Sequence, residues 1–322
     1  MKIYPWQKNS WTKVFSNTEK MPHAQIFYGS QTQEINKFVG ELIKSILCAQ
    51  PIKEHFSCNE CQDCLWNETS HPDLKVVESS SDKDEKINSD ILNIANVREI
   101  KKFLELSSHQ ANGKKIVVIY GAERLNIAAS NALLKTIEEP PRNCLIILTV
   151  NNLANLLPTI TSRSRLISFT KPSKEDAINY LKETNNMDLI DRLELYNNSP
   201  LQLIGEKEML NDVNIILDEL RKGYAVDLMK VNNIWLHNGL AWIINLLQKW
   251  SYEILLYKLS EEHNYFPRDI KLIHKLAFNA DLSKLLTYQK SLNKIKFYAK
   301  TSVNKEINLN SVMIEYKNIF TN

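Results

Sequence analysis

The stretch NALLKTIEEPP, Asn131 to Pro141, decides how the first half of this chain is built. Leu133, Leu134 and Ile137 recur at helical spacing, Lys135, Glu138 and Glu139 fall on the polar side, and Pro140-Pro141 cannot continue a helix. The stretch therefore reads as an amphipathic helix with a hard stop. One short polar turn before it lies Ile116 to Tyr120, an apolar, β-branched run of the kind found in strands buried on both faces. Similar runs stand at Gln25 to Tyr28, Leu74 to Glu78, Leu145 to Val150 and Leu166 to Phe169, with helical patterns at Gln33 to Leu47 and Ile91 to Leu106 between them. Strands alternating with helices, without tight hairpin signals, predict a parallel sheet covered by helices over residues 1–169.

After Phe169 the strand signals stop. Ser173 with Asp176 three residues on has the spacing of a helix N-terminus, a second helix fits Asp188 to Tyr196, and Ser199-Pro200 opens a third. These predict a small three-helix lid over 170–205. Residues 206–322 carry only helical periodicity, with long candidates at Gly239 to Leu259 and Asp281 to Thr301, and read as a separate helical domain. Trp235, Trp242 and Trp250 recur there without interleaved Lys or Arg, which favours core or contact aromatics over base-stacking platforms. The segment Glu78 to Asp90 is polar and charged, the pattern of a solvated loop.

A chain of 322 residues has room for roughly two to three domains, and seven glycines among abundant Leu, Ile, Lys and Glu favour a largely helical protein with one modest sheet. A net charge of +3 is too small for a surface that binds nucleic acid mainly by neutralising phosphates. Any DNA contact is expected to be secondary. The N-terminus lacks a signal-peptide core, and the longest apolar candidate, Leu240 to Leu259, is interrupted by Gln248, Lys249, Glu253 and Lys258. The expectation is a cytoplasmic protein without a membrane span.

Four of the five cysteines are Cys48, Cys58, Cys61 and Cys64. Two-residue spacers let consecutive thiolates turn onto one ion, and four sulfurs close the shell of tetrahedral Zn²⁺, as in structural sites. Disulfides are disfavoured in a cytosolic chain, and a redox Cys-x-x-Cys normally opens a helix. An iron–sulfur cluster uses the same ligand set and stays open as an alternative. His55 and His71 are nearby substitutes, each better explained by its place in a turn or before a strand. Cys144 reads as a small buried apolar residue.

Taken together, Pro5-Trp6, HAQIFYG, the cysteine cluster, His71-Pro72-Asp73, NALLKTIEEPP and LLPTITSRSRLISF resemble the AAA+ clamp-loader family, in particular the delta-prime branch of the bacterial DNA polymerase III clamp loader. The resemblance covers most of the first 170 residues. It implies an α/β AAA+ domain with a zinc-module insertion at about 48–64, a lid, and an all-α oligomerisation collar. The motor subunits, gamma/tau, share the cysteine module and NALLKT-EEPP; what separates this chain is its phosphate loop. That loop falls in His23 to Phe38, where Gly29 is kept but Thr32 and Glu34 occupy glycine positions, Ile35 the lysine and Asn36 the Ser/Thr. A phosphate cradle needs close backbone approach, a Lys and a Mg²⁺-binding hydroxyl, and Glu34 would repel the phosphates. The acidic end of the family's following strand is Tyr120 and Gly121 here, and a nucleotide-sensing arginine is matched by Leu201.

The resemblance thus implies a subunit without bound ATP or intrinsic ATPase activity, partnered by gamma/tau and delta subunits and touching primed DNA and the sliding clamp weakly or indirectly. It also implies a trans role for Ser162-Arg163-Ser164, which matches the family's Ser-Arg-Cys motif, whose arginine reaches the ATP of a neighbouring subunit. Arg163 is the expected finger and Arg165, two residues on, the runner-up if the segment is extended. The competing readings are a clamp-loader ATPase with a divergent nucleotide site and a zinc-dependent DNA-binding protein.

Overall fold

The computed structural model describes residues 3–16, 21–30, 32–66, 71–78, 91–109, 113–227, 230, 239–298 and 305–320. The expected loop at 78–90 lies, except for Glu78, outside the described residues, as does Trp235. The chain divides into two compact units, Met1–Lys171 and Pro172–Asn322.

The first unit is built on five parallel strands: β1 (Ala24–Tyr28), β2 (Leu74–Val77), β3 (Lys115–Ile119), β4 (Cys144–Val150) and β5 (Arg165–Ser168), in the order β2-β3-β4-β1-β5. Each falls within a residue or two of its apolar run. Side chains alternate strictly between the faces, as a two-residue repeat requires. Phe27, Ile116, Val118, Leu145 and Ile147 join the core beneath α1 (Lys8–Phe15) and α2 (Thr32–Leu47). Ile26, Val117, Ile119, Ile146 and Leu148 face the other way, into a core with residues of α4 (Ile94–Leu104), α5 (Ile127–Glu138) and α6 (Pro158–Thr161). The short α3 (Gln62–Leu65) belongs to the cysteine-rich insertion between α2 and β2. Covering both faces explains why the strands read as continuous apolar runs; each fully buried Ile or Leu contributes about 1.5–3 kcal/mol.

The helix that opened the sequence reading is α5. Asn126 caps its start, its side chain accepting from Ala129 N at 2.8 Å, and Leu133 and Ile137 are buried while Leu134 is half-buried. At its far end His23 Nε2 donates to Ile137 O at 2.8 Å, and Pro140-Pro141 follow. A buried ion pair ties β2 to β3: Asp73, 1% exposed, meets Lys115 Nζ at 3.0 Å and also accepts from His109 N.

In the second unit, α7 (Lys174–Glu183) starts as expected, Ser173 Oγ accepting from Asp176 N at 3.0 Å. The helix expected over Asp188 to Tyr196 is instead two 3₁₀ turns, Met187–Arg192 and Glu194–Tyr196, bounded by Asn185 and Asn197 at positive φ. Leu189, Leu193 and Tyr196 would share one α-helical face, but Leu195, also buried, falls off it, so tertiary packing overrides the helical propensity. Then come α8 (Pro200–Gly205), α9 (Leu210–Leu220) and the helices Leu240–Ser260, Ile270–Asn279, Leu282–Tyr298 and Lys305–Asn318. One apolar core runs from Ala177 to Phe320 without separating a lid from a collar. Trp250 is fully buried within it; its indole donates to Tyr316 Oη at 2.9 Å, which donates to Leu220 O at 2.6 Å. Glu253, also fully buried, accepts from the backbone N–H groups of Asn264, Tyr265 and Phe266.

Candidate metal centre, strand-end crevice and exposed arginine

Helix α2 ends at Leu47, and Cys48 follows it directly. The insertion then turns back so that the Sγ atoms of Cys48, Cys58, Cys61 and Cys64 all lie within 4.8 Å of one another. Separations are 3.5 Å for Cys48–Cys58, 3.9 Å for Cys48–Cys61 and 3.8 Å for Cys58–Cys64. A tetrahedron of thiolates about 2.3 Å from Zn²⁺ has edges of about 3.8 Å, so the donor set fits one closed-shell ion. All five cysteines are free. Backbone N–H groups of Glu60 and Cys61 point at Cys58 Sγ and lower its pKa to about 6, favouring the anion that a metal requires. Burial pushes the Cys48 and Cys64 thiols up, the direction expected of sulfurs held close together away from water. A four-cysteine cluster able to bind a metal ion is therefore present. Neither histidine joins it: His71 accepts from Asp73 N at Nδ1, 3.0 Å away, and His55 stacks on Phe15. Cys144 is buried at the start of β4.

At the other end of α2 lies the crevice outside the carboxyl ends of β1, β3 and β4. The helices after β1 and β3 lie on opposite faces of the sheet, the geometry in which open α/β sheets bind ligands. Several of the chain's own side chains bond to one another near it. Glu34, 5% exposed in the first turn of α2, accepts from Trp6 Nε1 at 2.9 Å, and Gln7 Nε2 reaches Glu34 O at 3.4 Å. Burial raises the Glu34 carboxyl above its ordinary range, while the indole hydrogen bond works against that shift. Ile35 is 1% exposed and belongs to the apolar core rather than the crevice. Thr32 Oγ1 donates to Asn151 Oδ1, and Asn151 Nδ2 donates to Glu123 Oε1 at 3.0 Å, a chain of bonds running from α2 to the turn after β3. Two glycines permit close approach: a Cβ on Gly29 would lie 2.6 Å from Phe169 O, and one on Gly121, at φ +66°, 2.5 Å from Arg124 Nη2. At Gly121 a side chain would meet the Arg124 guanidinium.

The segment Leu157 to Arg165 is not extended. After α6, Ser162 and Arg163 continue as a turn, with Ser162 N donating to Pro158 O and Arg163 N to Ile160 O. Arg163 and Arg165 therefore do not share a face of one strand, and the two differ in environment. Arg165, at the start of β5, donates Nη2 to Lys13 O at 2.8 Å. Arg163 keeps 45% of its side chain exposed, with Nε 2.8 Å from Glu138 Oε1. Leu201 sits in α8, half-buried.

A family model described as "DNA polymerase III, delta subunit" matches residues 7–173, more than half of the chain. The chain belongs to the DNA polymerase III delta-subunit family. Among its relatives, the DNA polymerase III subunit delta' of Haemophilus influenzae is 31% identical over 62% of this chain and 60% of its own length. The chain thus spans less than two thirds of that relative. The subunit delta' of Pseudomonas aeruginosa is 26% identical over 98% of both chains. Among solved structures, a DNA polymerase III gamma subunit-related protein of Thermotoga maritima covers 98% of this chain and 99% of its own at 17% identity, with a TM-score of 0.44.

For this family member, sequence reasoning missed Trp6 and Glu138. Trp6 stood in a matched motif without a role, and nothing in spacing indicates that an indole 28 residues upstream meets Glu34. Glu138 read as solvent-facing, whereas it pairs with Arg163 across 25 residues. Neither contact leaves a periodic signal.

Proposed function

We propose that this chain is a non-motor, delta-prime-like subunit of the DNA polymerase III clamp loader that helps load the sliding clamp onto primed DNA. It supplies Arg163, next to Ser162, in trans to the ATP site of a neighbouring subunit, and neither binds nor hydrolyses ATP itself. Its partners are gamma/tau and delta subunits, with weak or indirect contact to DNA and clamp, in the cytoplasm. Cys48, Cys58, Cys61 and Cys64 hold one structural Zn²⁺, residues 170–205 act as the lid, and residues 206–322 as the oligomerisation collar. Among the described residues no helix is long and apolar enough to cross a membrane.

The observation that carries this reading is the buried Glu34 bonded to Trp6, beside the Thr32–Asn151 bond, with Ile35 withdrawn into the core. A phosphate would meet the Glu34 carboxylate at a glycine position and no lysine at position 35, and Asn36 offers no hydroxyl to Mg²⁺. The same features weigh against an ATPase with a divergent site. Arg163, by contrast, is exposed, permanently charged and planar, which suits the charge spread over a transferring phosphoryl group.

Arg163→Ala should leave fold, metal content and assembly intact and lower ATP turnover at the one served site by on the order of 10³-fold. Because other sites in a ring keep working, clamp-loading rate is the sensitive readout. Normal loading by Arg163→Ala, with a loss in Arg165→Ala, transfers the role to Arg165; normal loading by both ends the trans mechanism. Micromolar ATP affinity of the isolated chain in calorimetry would revive the ATPase reading.

A further inference from the structure

Glu138 is the last residue of α5, where a carboxylate is in the wrong place for its own helix. The C-terminal end of a helix carries partial negative charge, and an acid there costs about 0.3–1 kcal/mol. Local physics therefore does not explain Glu138. The residue is well anchored nonetheless: Ile137 before it is 2% exposed, His23 holds the Ile137 carbonyl, and Pro140 follows closely. What compensates the carboxylate lies in another element. Oε1 stands 2.8 Å from Arg163 Nε.

Arg163 has five N–H donors, and its own unit occupies one side of them. Nε lies 2.8 Å from Glu138 Oε1 in an ion pair, and Nη1 donates to Thr159 O and to Ser162 Oγ, both at 3.3 Å. Among the described residues Nη2 engages neither of its N–H groups. A long, flexible side chain is thus fixed at its base by three contacts while its far amine stays available on a half-exposed surface. An unrestrained arginine would lose that rotamer freedom only on meeting a phosphate, which would weaken the contact.

We propose that Glu138 is the positioning residue of Arg163, holding the Nε side of the guanidinium so that Nη2 is presented to the phosphates of a neighbouring subunit's nucleotide. The proposal rests on the reading of Arg163 as a trans group. Glu138 touches no nucleotide itself. The acid of NALLKTIEEPP that reads as a solvated face thereby becomes the link between that helix and the arginine segment.

The test is a double-mutant cycle in the reconstituted clamp-loader ring, with clamp and primed DNA. Glu138→Ala should lower kcat for ATP and the clamp-loading rate about fivefold, the upper range for a half-exposed ion pair, with the KM for ATP within about twofold. Glu138→Gln, which keeps the size of the side chain but removes its charge, should lose about twofold, and Glu138→Asp should lie between wild type and Ala. In the Arg163→Ala background all three substitutions should have no further effect. A Glu138→Ala loss that persists in that background would mean that Glu138 serves folding or assembly and overturns the proposal. Wild-type rates for Glu138→Ala, with Arg163→Ala impaired, overturn it too while leaving the trans arginine standing. Wild-type rates for Arg163→Ala alone remove the parent reading, whatever Glu138 does.

Discussion

The two ends of α2 carry two different chemistries. At the N-terminal end there is a packed polar contact: buried Glu34 accepts from the Trp6 indole, and Ile35 lies in the core. At the C-terminal end, Cys48 joins three sulfurs of the following turn at the spacing a tetrahedral ion requires. One helix of 16 residues thus leads from a buried carboxylate to a four-cysteine cluster. The lesson concerns burial. The four sulfurs stay converged on one another, while Glu34 and Ile35 are absorbed into the surrounding hydrogen bonds and core.

The comparison can be broken most forcefully at the cysteine end. Cys61→Ser should remove stoichiometric metal from protein purified without added zinc, because structural Zn²⁺ in small modules binds with an apparent free energy of about 10–16 kcal/mol that folding then lacks. Elemental analysis alongside limited proteolysis of the 48–66 region reads both effects. Retention of one zinc per chain by the variant, or iron with visible absorbance in the wild type, would refute the four-thiolate zinc assignment.

A medium effect is expected at the N-terminal end. Ile35→Lys restores the residue type that a phosphate loop uses, yet it places a charge where the side chain is 1% exposed. It should destabilise the chain by on the order of 3–5 kcal/mol in denaturant unfolding and confer no ATP binding. A stable Ile35→Lys variant that binds ATP would show that position 35 can turn into the crevice, and that the site is closed only by residue identity.

The smallest effect, at Glu34, sharpens the comparison through pH. Burial raises the folded-state pKa of this carboxyl, so the protonated acid fits the fold better than the carboxylate does. Its contribution is therefore full below the unfolded-state pKa and lost as pH rises through the folded-state pKa. Glu34→Gln should gain about 1 kcal/mol or less over wild type at neutral pH, and the gain should disappear in acid. Thermal melts across pH measure this directly. A constant difference at all pH values would mean that the substitution acts through shape or the Trp6 hydrogen bond alone.

Much of the first unit was legible in the chain because strands covered on both faces leave unbroken apolar runs, and helices leave an apolar stripe. Gln25 to Tyr28, Ile116 to Tyr120 and Leu145 to Val150 each became a strand within a residue or two, and NALLKTIEEPP became the end of α5 with the proline stop where it was read. The cysteine cluster was legible for a different reason: its ligands are close in sequence, so spacing alone constrains their geometry. Asp188 to Tyr196 was not, because helical propensity is weak compared with the demand to bury Leu189, Leu193, Leu195 and Tyr196 on more than one side.

What the sequence determined by itself is what local periodicity and short spacing encode: a parallel α/β unit, a helical second half and four converging thiols. What only the tertiary structure decided are pairings between residues far apart in the chain. Trp6 covers Glu34, Asp73 neutralises Lys115 inside the sheet, and Glu138 takes one side of Arg163. A polar side chain reads the same in sequence whether it meets water or a partner. The difference arises when folding removes the water, for a buried or half-buried charge must then find its counter-charge or hydrogen bond wherever the topology delivers one.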